Sequence, residues 1–111
     1  MNISEITQFV DLTLSDDIWK WIYNRDENRK VRVLSQALKI NEEAWELSSE
    51  ILWYLQLVRK EKLNNYSQET LESEIADVII STFRLARFLS INMEDILTKR
   101  IEVLKNRISW N

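Results

Sequence analysis

Three features of this 111-residue chain predict an all-α fold: it contains no glycine and no proline, its apolar residues recur at three- and four-residue spacing, and its breaks are filled by Asn, Asp and Ser. Hairpin turns lean on glycine for positive φ, whereas helices can be joined by capping residues alone. The length suits one domain, residues 1–111, with no repeat, low-complexity segment or linker to divide it. At 45% apolar and 30% charged, the composition is that of a globular protein, neither a disordered tail nor a membrane protein.

The elements follow in order. Ser4 can cap a short helix over 5–14, with Ile6, Phe9, Val10 and Leu14 on its apolar side. Ser15-Asp16-Asp17 reads as a second start carrying Trp19, Trp21 and Ile22, and 24–28 reads as a polar connector. A helical period then holds from 29 to 62, long enough for a kink or break to be expected. Its apolar positions include Leu34, Ala37, Leu38, Ala44, Trp45, Ile51, Leu52 and Leu55. Leu63-Asn-Asn-Tyr-Ser67 ends it, and Ser67 can cap a helix running to Leu89. Between Ile75 and Leu89 that helix is apolar over most of its circumference, the pattern of a central element covered on two sides. Asn92, with Asp95 three residues on, resembles a capping box and opens a last helix over 93–108.

The chain also lacks Cys and His. Thiolate nucleophiles, zinc fingers, iron–sulfur clusters, Ser-His-Asp triads and Glu-x-x-His di-iron sites are therefore excluded. Without glycine there is no P-loop and no dinucleotide-binding fingerprint. What remains is carboxylate, lysine, arginine and hydroxyl chemistry. The net charge of −3 gives no electrostatic reason for nucleic acid or an anionic membrane as partner. No run approaches the roughly 18–20 apolar residues of a membrane span, and the N-terminus has no signal-like segment. A cytoplasmic protein is the expectation.

Carboxylates recur at i,i+3 in three places: Glu43/Glu46, Glu69/Glu72 and Glu74/Asp77. Glu69/Glu72 lies in a first helical turn, where acids favour the dipole, and needs no further reason. Glu42, Glu43, Glu46 and Glu50 crowd two turns, with like-charge i,i+4 contacts that cost an isolated helix about 0.2–0.5 kcal/mol each. On a helical wheel Arg32, Lys39, Glu43, Glu46 and Glu50 share one stripe. A solvated outer face has that appearance, and so does a site for a metal-bound phosphate. Further along, the stripe turns apolar at Trp53 and Leu57, as if covered. Glu74 and Asp77 sit on the most apolar helix, where an uncompensated acid is costly. Two antiparallel helices facing these pairs would form a four-carboxylate nest, and such all-oxygen sets select Mg²⁺ or Mn²⁺.

The residues that carry chemistry also carry a resemblance. Lys39-Ile-Asn-Glu-Glu-Ala-Trp-Glu-Leu47 and Glu74-Ile-Ala-Asp-Val-Ile79 resemble the EExxE…ExxD signature of MazG-like nucleotide pyrophosphohydrolases, in the all-α NTP pyrophosphatase superfamily. Leu85-Ala-Arg-Phe-Leu-Ser-Ile-Asn-Met-Glu-Asp-Ile96 is similar to the stretch that follows in that family. The likeness covers roughly 32–107. It implies a four-helix bundle with a long second helix, completed by oligomerisation as a homodimer or homotetramer. It implies Mg²⁺-dependent hydrolysis of (deoxy)nucleoside triphosphates to monophosphate and pyrophosphate, for house-cleaning or nucleotide-pool control, with Mn²⁺ as a substitute ion.

Carried over by position, Glu43, Glu46, Glu74 and Asp77 match the metal ligands, and Glu42 and Glu43 are the catalytic acids. Lys39, Lys99 and Arg107 are the basic residues available to substrate phosphates. Ser90 stands where the family has a helix-ending glycine, Trp45 stands where some members have glycine, and the C-terminal basic pattern is only partly met. The phosphoribosyl-ATP pyrophosphatases share the fold and a similar motif, but this chain lacks their glycine and Ser-Tyr-Thr approach segment. A helical dimer without turnover, structural or nucleotide-binding, is the non-enzymatic alternative.

Overall fold

In the computed structural model the described residues are 1–14, 26–57 and 66–109, and among them the chain forms four α-helices and no strand. They are α1 (Ile3–Thr13), α2 (Asp26–Tyr54), α3 (Gln68–Phe88) and α4 (Met93–Ser109). The element expected at Ser15–Ile22 lies outside the described residues, and the long helix ends at Tyr54 and not near residue 62. No described helix is long and apolar enough to cross a membrane.

The helix boundaries have local causes. Asn2 caps α1 by accepting from the Glu5 N–H at 2.9 Å, so the helix starts at Ile3, two residues earlier than a Ser4 cap would set it. Ser67 caps α3 in a reciprocal box: its hydroxyl accepts from the Thr70 N–H at 3.1 Å, and the Thr70 hydroxyl accepts from the Ser67 N–H at 2.8 Å. Asn92 does the same for α4, accepting from the Asp95 N–H at 3.1 Å. Two helices end in Schellman turns without glycine. Leu57 N–H donates to Leu52 O and Gln56 N–H to Trp53 O after α2; Ile91 N–H donates to Ala86 O and Ser90 N–H to Arg87 O after α3. Gln56 and Ser90 accordingly take positive φ, 60° and 57°. α2 is continuous over 29 residues and the turn at 55–57 ends it, inside the 29–62 stretch where a kink or break was expected.

The buried core sits at one end. Val10 of α1, Phe83 and Ala86 of α3 and Met93 of α4 are buried together, with Ile3, Ile6, Leu14, Ile80, Ile91 and Leu97 packed on them. An ion pair from Arg87 Nε to Asp11 Oδ1, 2.6 Å, ties α1 to α3. Beyond its first turns α4 is exposed on every side through Ile108.

The antiparallel α2–α3 pair is the main helix contact, and it is polar. Arg29 Nη2 donates to Phe88 O at 3.3 Å, and the Arg32 guanidinium lies over the Phe88 ring at 5.8 Å. Gln36 Nε2 donates to the carbonyl of buried Ser81 at 2.9 Å, and Thr70 Oγ1 donates to buried Glu50 at 2.9 Å. Residues 29, 32, 36, 43, 46 and 50 thus step along one seam of α2 while 88, 81, 74 and 70 step back along α3. The expected apolar face of α2 points elsewhere: Leu34, Leu38, Trp45, Leu52 and Leu55 are exposed, as are Ile75 and Ile79 on α3. The charged stripe is covered in part: Glu43 and Glu50 are buried and Arg32 half-buried against α3, while Lys39 and Glu46 stay exposed. Trp45 is not a core residue of this protomer. Trp53 is half-buried and stacks on Tyr66, ring centroids 6.4 Å apart.

This open packing has a magnitude. The radius of gyration is 17.5 Å, against about 13 Å for a compact domain of this length.

Candidate metal centre

The polar seam brings three glutamates together. Oxygens of Glu43 and Glu46 on α2 and of Glu74 on α3 all lie within 4.8 Å of one another. Spacing explains the set. Positions 43 and 46 share one side of α2, and the antiparallel register carried by Gln36–Ser81 and Glu50–Thr70 puts position 74 opposite them. Glu43 is buried, Glu74 half-buried and Glu46 exposed, so the cluster opens to solvent on the Glu46 side.

Three carboxylates at this distance cannot all stay ionised without a counterion. The hydrogen bond with Glu43 first, then burial, then the nearness of Glu46 push the Glu74 carboxyl up to about 8. Glu43 moves the opposite way. The hydrogen bond from protonated Glu74 lowers it, burial opposes this, and Lys39 and Arg84 add to the lowering. Glu74 Oε1 is buried and receives no hydrogen bond. An acceptor left without a donor inside an acidic cluster fits a hard divalent cation, which takes carboxylate oxygens and displaces the proton.

Lys39 stands at the rim. Its Nζ lies 3.2 Å from Glu43 and 3.7 Å from Glu42, one turn back along the helix. The hydrogen bond to Glu43 first, then the charges of Glu42 and Glu43, hold its ammonium above the ordinary value. Glu42 is exposed and outside the three-oxygen group. Glu50, one turn past Glu46, is occupied by the α3 cap through Thr70.

The remaining expected residues stand apart. Asp77 is exposed and does not join the group, so the described cluster holds three carboxylates where four were anticipated. The physical reason lies in the seam, which α3 builds from positions 70, 74, 81 and 88; Asp77 falls at its edge. Lys99 and Arg107 are exposed on α4 and are not among the groups that shift Glu43 or Glu74. Arg84 was not anticipated: it is half-buried on α3, and its charge helps lower Glu43. Its spacing of seven from Asp77 was the available signal, since it places the two about 20° apart around α3.

A cluster of this kind can bind one hard cation between two helices, leave one side open to water and ligand oxygens, and offer an adjacent ammonium to an anion. No protein-family model matches this chain, and comparison with curated proteins and with solved structures finds no match.

Proposed function

We propose that the chain is a Mg²⁺-dependent nucleotide pyrophosphohydrolase that cleaves (deoxy)nucleoside triphosphates to monophosphate and pyrophosphate. The observation that carries this reading is the three-glutamate group within 4.8 Å, with buried Glu74 Oε1 lacking a donor and Lys39 beside it. The motif resemblance of 39–47, 74–79 and 85–96 supports the same chemistry.

In this reading Glu43, Glu46 and Glu74 hold Mg²⁺ or Mn²⁺. A bound divalent ion supplies Lewis-acid polarisation of phosphoryl oxygens and acidifies coordinated water. Lys39, ion-paired at the rim, turns to the triphosphate and neutralises charge on it as the P–O bond breaks. Glu42, exposed next to Lys39, accepts the proton from the attacking water. Glu43 is held below the usual carboxylate range first by the hydrogen bond with Glu74 and then by Lys39 and Arg84, which favours cation binding.

The test is pyrophosphate release from the common ribo- and deoxyribonucleoside triphosphates with Mg²⁺ and with Mn²⁺. At least one should be hydrolysed, and Glu43→Gln and Glu74→Gln should each abolish turnover. No release from any of them overturns the reading.

A further inference from the structure

Arg84 brings a positive charge to the glutamate cluster from α3. Its side chain is half-buried, and among the described residues it makes no ion pair and no hydrogen bond. Its neighbours on the seam are engaged: Lys39 pairs with Glu42 and Glu43, Arg29 donates to the Phe88 carbonyl, and Arg32 lies over the Phe88 ring. Partial burial strips water from a guanidinium, and no protein oxygen among the described residues replaces that water at Arg84.

Helix geometry sets Arg84 on the open side of the cluster. On α2, Lys39 and Glu46 lie three residues past Gln36 and Glu43; on α3, Asp77 and Arg84 lie three residues past Glu74 and Ser81. Gln36, Glu43, Glu74 and Ser81 are seam positions at which the two helices meet. A three-residue step turns about 60° around a helix, and in an antiparallel pair both steps turn to the same flank. Exposure agrees: Lys39, Glu46 and Asp77 are exposed, whereas the four seam residues are buried or half-buried. Arg84 lies ten residues, about 15 Å along the axis, from Glu74. A helical side chain leans back toward the N-terminus, which here is toward the glutamates. The flank therefore presents, in order, the carboxylates, the Lys39 ammonium and the Arg84 guanidinium. Two positive groups at different depths beside a cation site suit a linear polyanion better than a single phosphoryl group.

We infer that Arg84 is a substrate-binding residue: with Lys39 it forms an anion subsite beside the three glutamates, which takes the diphosphate end of a metal-bound nucleotide. The inference rests on the phosphohydrolase reading of the glutamates. It adds the direction in which the phosphate chain runs, from the cluster toward the Gln36–Ser81 contact. The planar fork of Arg84 can take two oxygens of one phosphoryl group, and Lys39 meets the same chain as a point charge.

Calorimetric titration of the full chain near pH 8 tests it with two probes, Mg²⁺ alone and inorganic pyrophosphate in excess Mg²⁺. Arg84→Met keeps the apolar stem and removes the charge; Arg84→Lys keeps a charge without the fork. Arg84→Met should weaken pyrophosphate binding by roughly tenfold or more, and Arg84→Lys by less. Neither should weaken binding of Mg²⁺ alone, because removing a nearby positive charge does not loosen a cation. A native chain that binds no pyrophosphate overturns the inference, as does Arg84→Met that binds it like the native chain. Parallel loss of Mg²⁺ and pyrophosphate also overturns it, because Arg84 then supports the glutamates and not the anion. If Arg84→Met unfolds, Arg84→Gln is judged by the same two titrations. Failure of the hydrolase reading looks different: pyrophosphate binds through Arg84 while no nucleotide is cleaved, which keeps the subsite and removes the reaction. Cleavage with an unchanged KM in Arg84→Met is the reverse case, in which the hydrolase stands and the subsite falls.

Discussion

Glu74 on α3 faces Glu43 on α2 with carboxylate oxygens within 4.8 Å, and this contact pushes the Glu74 carboxyl up and the Glu43 carboxyl down. A cation bound by the three glutamates would compete with the Glu74 proton. The contact couples stability, metal binding and pH at one point on the helix seam.

Without metal, stability should fall as pH rises from about 5 to about 8.5. Glu74 in the folded chain titrates at about 8, against 4.5 for the free group. Between those values the folded state holds a proton that the unfolded state has released, so raising the pH favours unfolding. The contribution is fully present below the unfolded value and is lost as pH passes the folded one. Glu43 is lowered and acts at the acid end, where its contribution is lost on acidification below its usual range. Thermal melts in EDTA should show Tm declining across the neutral range for the native chain. Glu74→Gln should flatten that decline, and an equal decline in both proteins would contradict the raised Glu74 carboxyl.

Divalent ions should reverse the loss. Mg²⁺ or Mn²⁺ should raise Tm well beyond Na⁺ at matched ionic strength, with the gain growing toward pH 8 as the competing proton leaves. Calorimetric titration at neutral pH, in two buffers of different ionisation enthalpy, should report proton release on binding. Glu74→Gln and Glu43→Gln should remove the gain. Asp77→Asn should retain most of it, because Asp77 lies outside the three-oxygen group.

Lys39 divides binding from folding. The side chain is exposed, so its pairs with Glu42 and Glu43 add little to stability, and Lys39→Met should change it by less than about 1 kcal/mol. Loss of its charge should nevertheless weaken the hold on a triphosphate. Under the proposed function, the KM for the nucleotide should rise roughly tenfold, equivalent to about 1.4 kcal/mol. An unchanged KM with a large stability loss would assign Lys39 a structural role instead.

Much of this arrangement was legible from residue spacing. The caps at Ser67 and Asn92 were readable because a short polar side chain preceded each apolar run, with a hydrogen-bonding residue three positions on. Asn2 and Ser4 are both good capping residues, and choosing the first starts α1 two residues earlier. Glu43, Glu46 and Glu74 were readable from their i,i+3 spacing and their place on an apolar helix. The direction in which α2 turns its apolar face was not. Burial rules send Leu34, Leu38 and Trp45 inward, yet in the protomer the charged seam meets α3 and those residues stay outside. A single-chain pattern specifies which faces need covering, and a partner copy can meet that need as well as the chain itself.

Gln56 and Ser90 offer a separate check on the backbone. Both close Schellman turns with φ near 60°, a conformation in which a side chain crowds the following carbonyl, and the chain has no glycine to place there. Glycine at either position removes that crowding, offset in part by the greater freedom it gives the unfolded chain. Gln56→Gly and Ser90→Gly should each stabilise the protein by about 0.5–1 kcal/mol, read as a higher urea midpoint with unchanged slope. Ser90 joins α3 to α4 beside Ile91, which packs on the core, so its substitution should also slow unfolding if that turn forms late. Ser90→Val is the opposing control. A β-branched side chain is poorly tolerated at positive φ and should destabilise by more than the glycine gains. Equal stability of the glycine and valine variants would mean that the turn does not hold this conformation in solution.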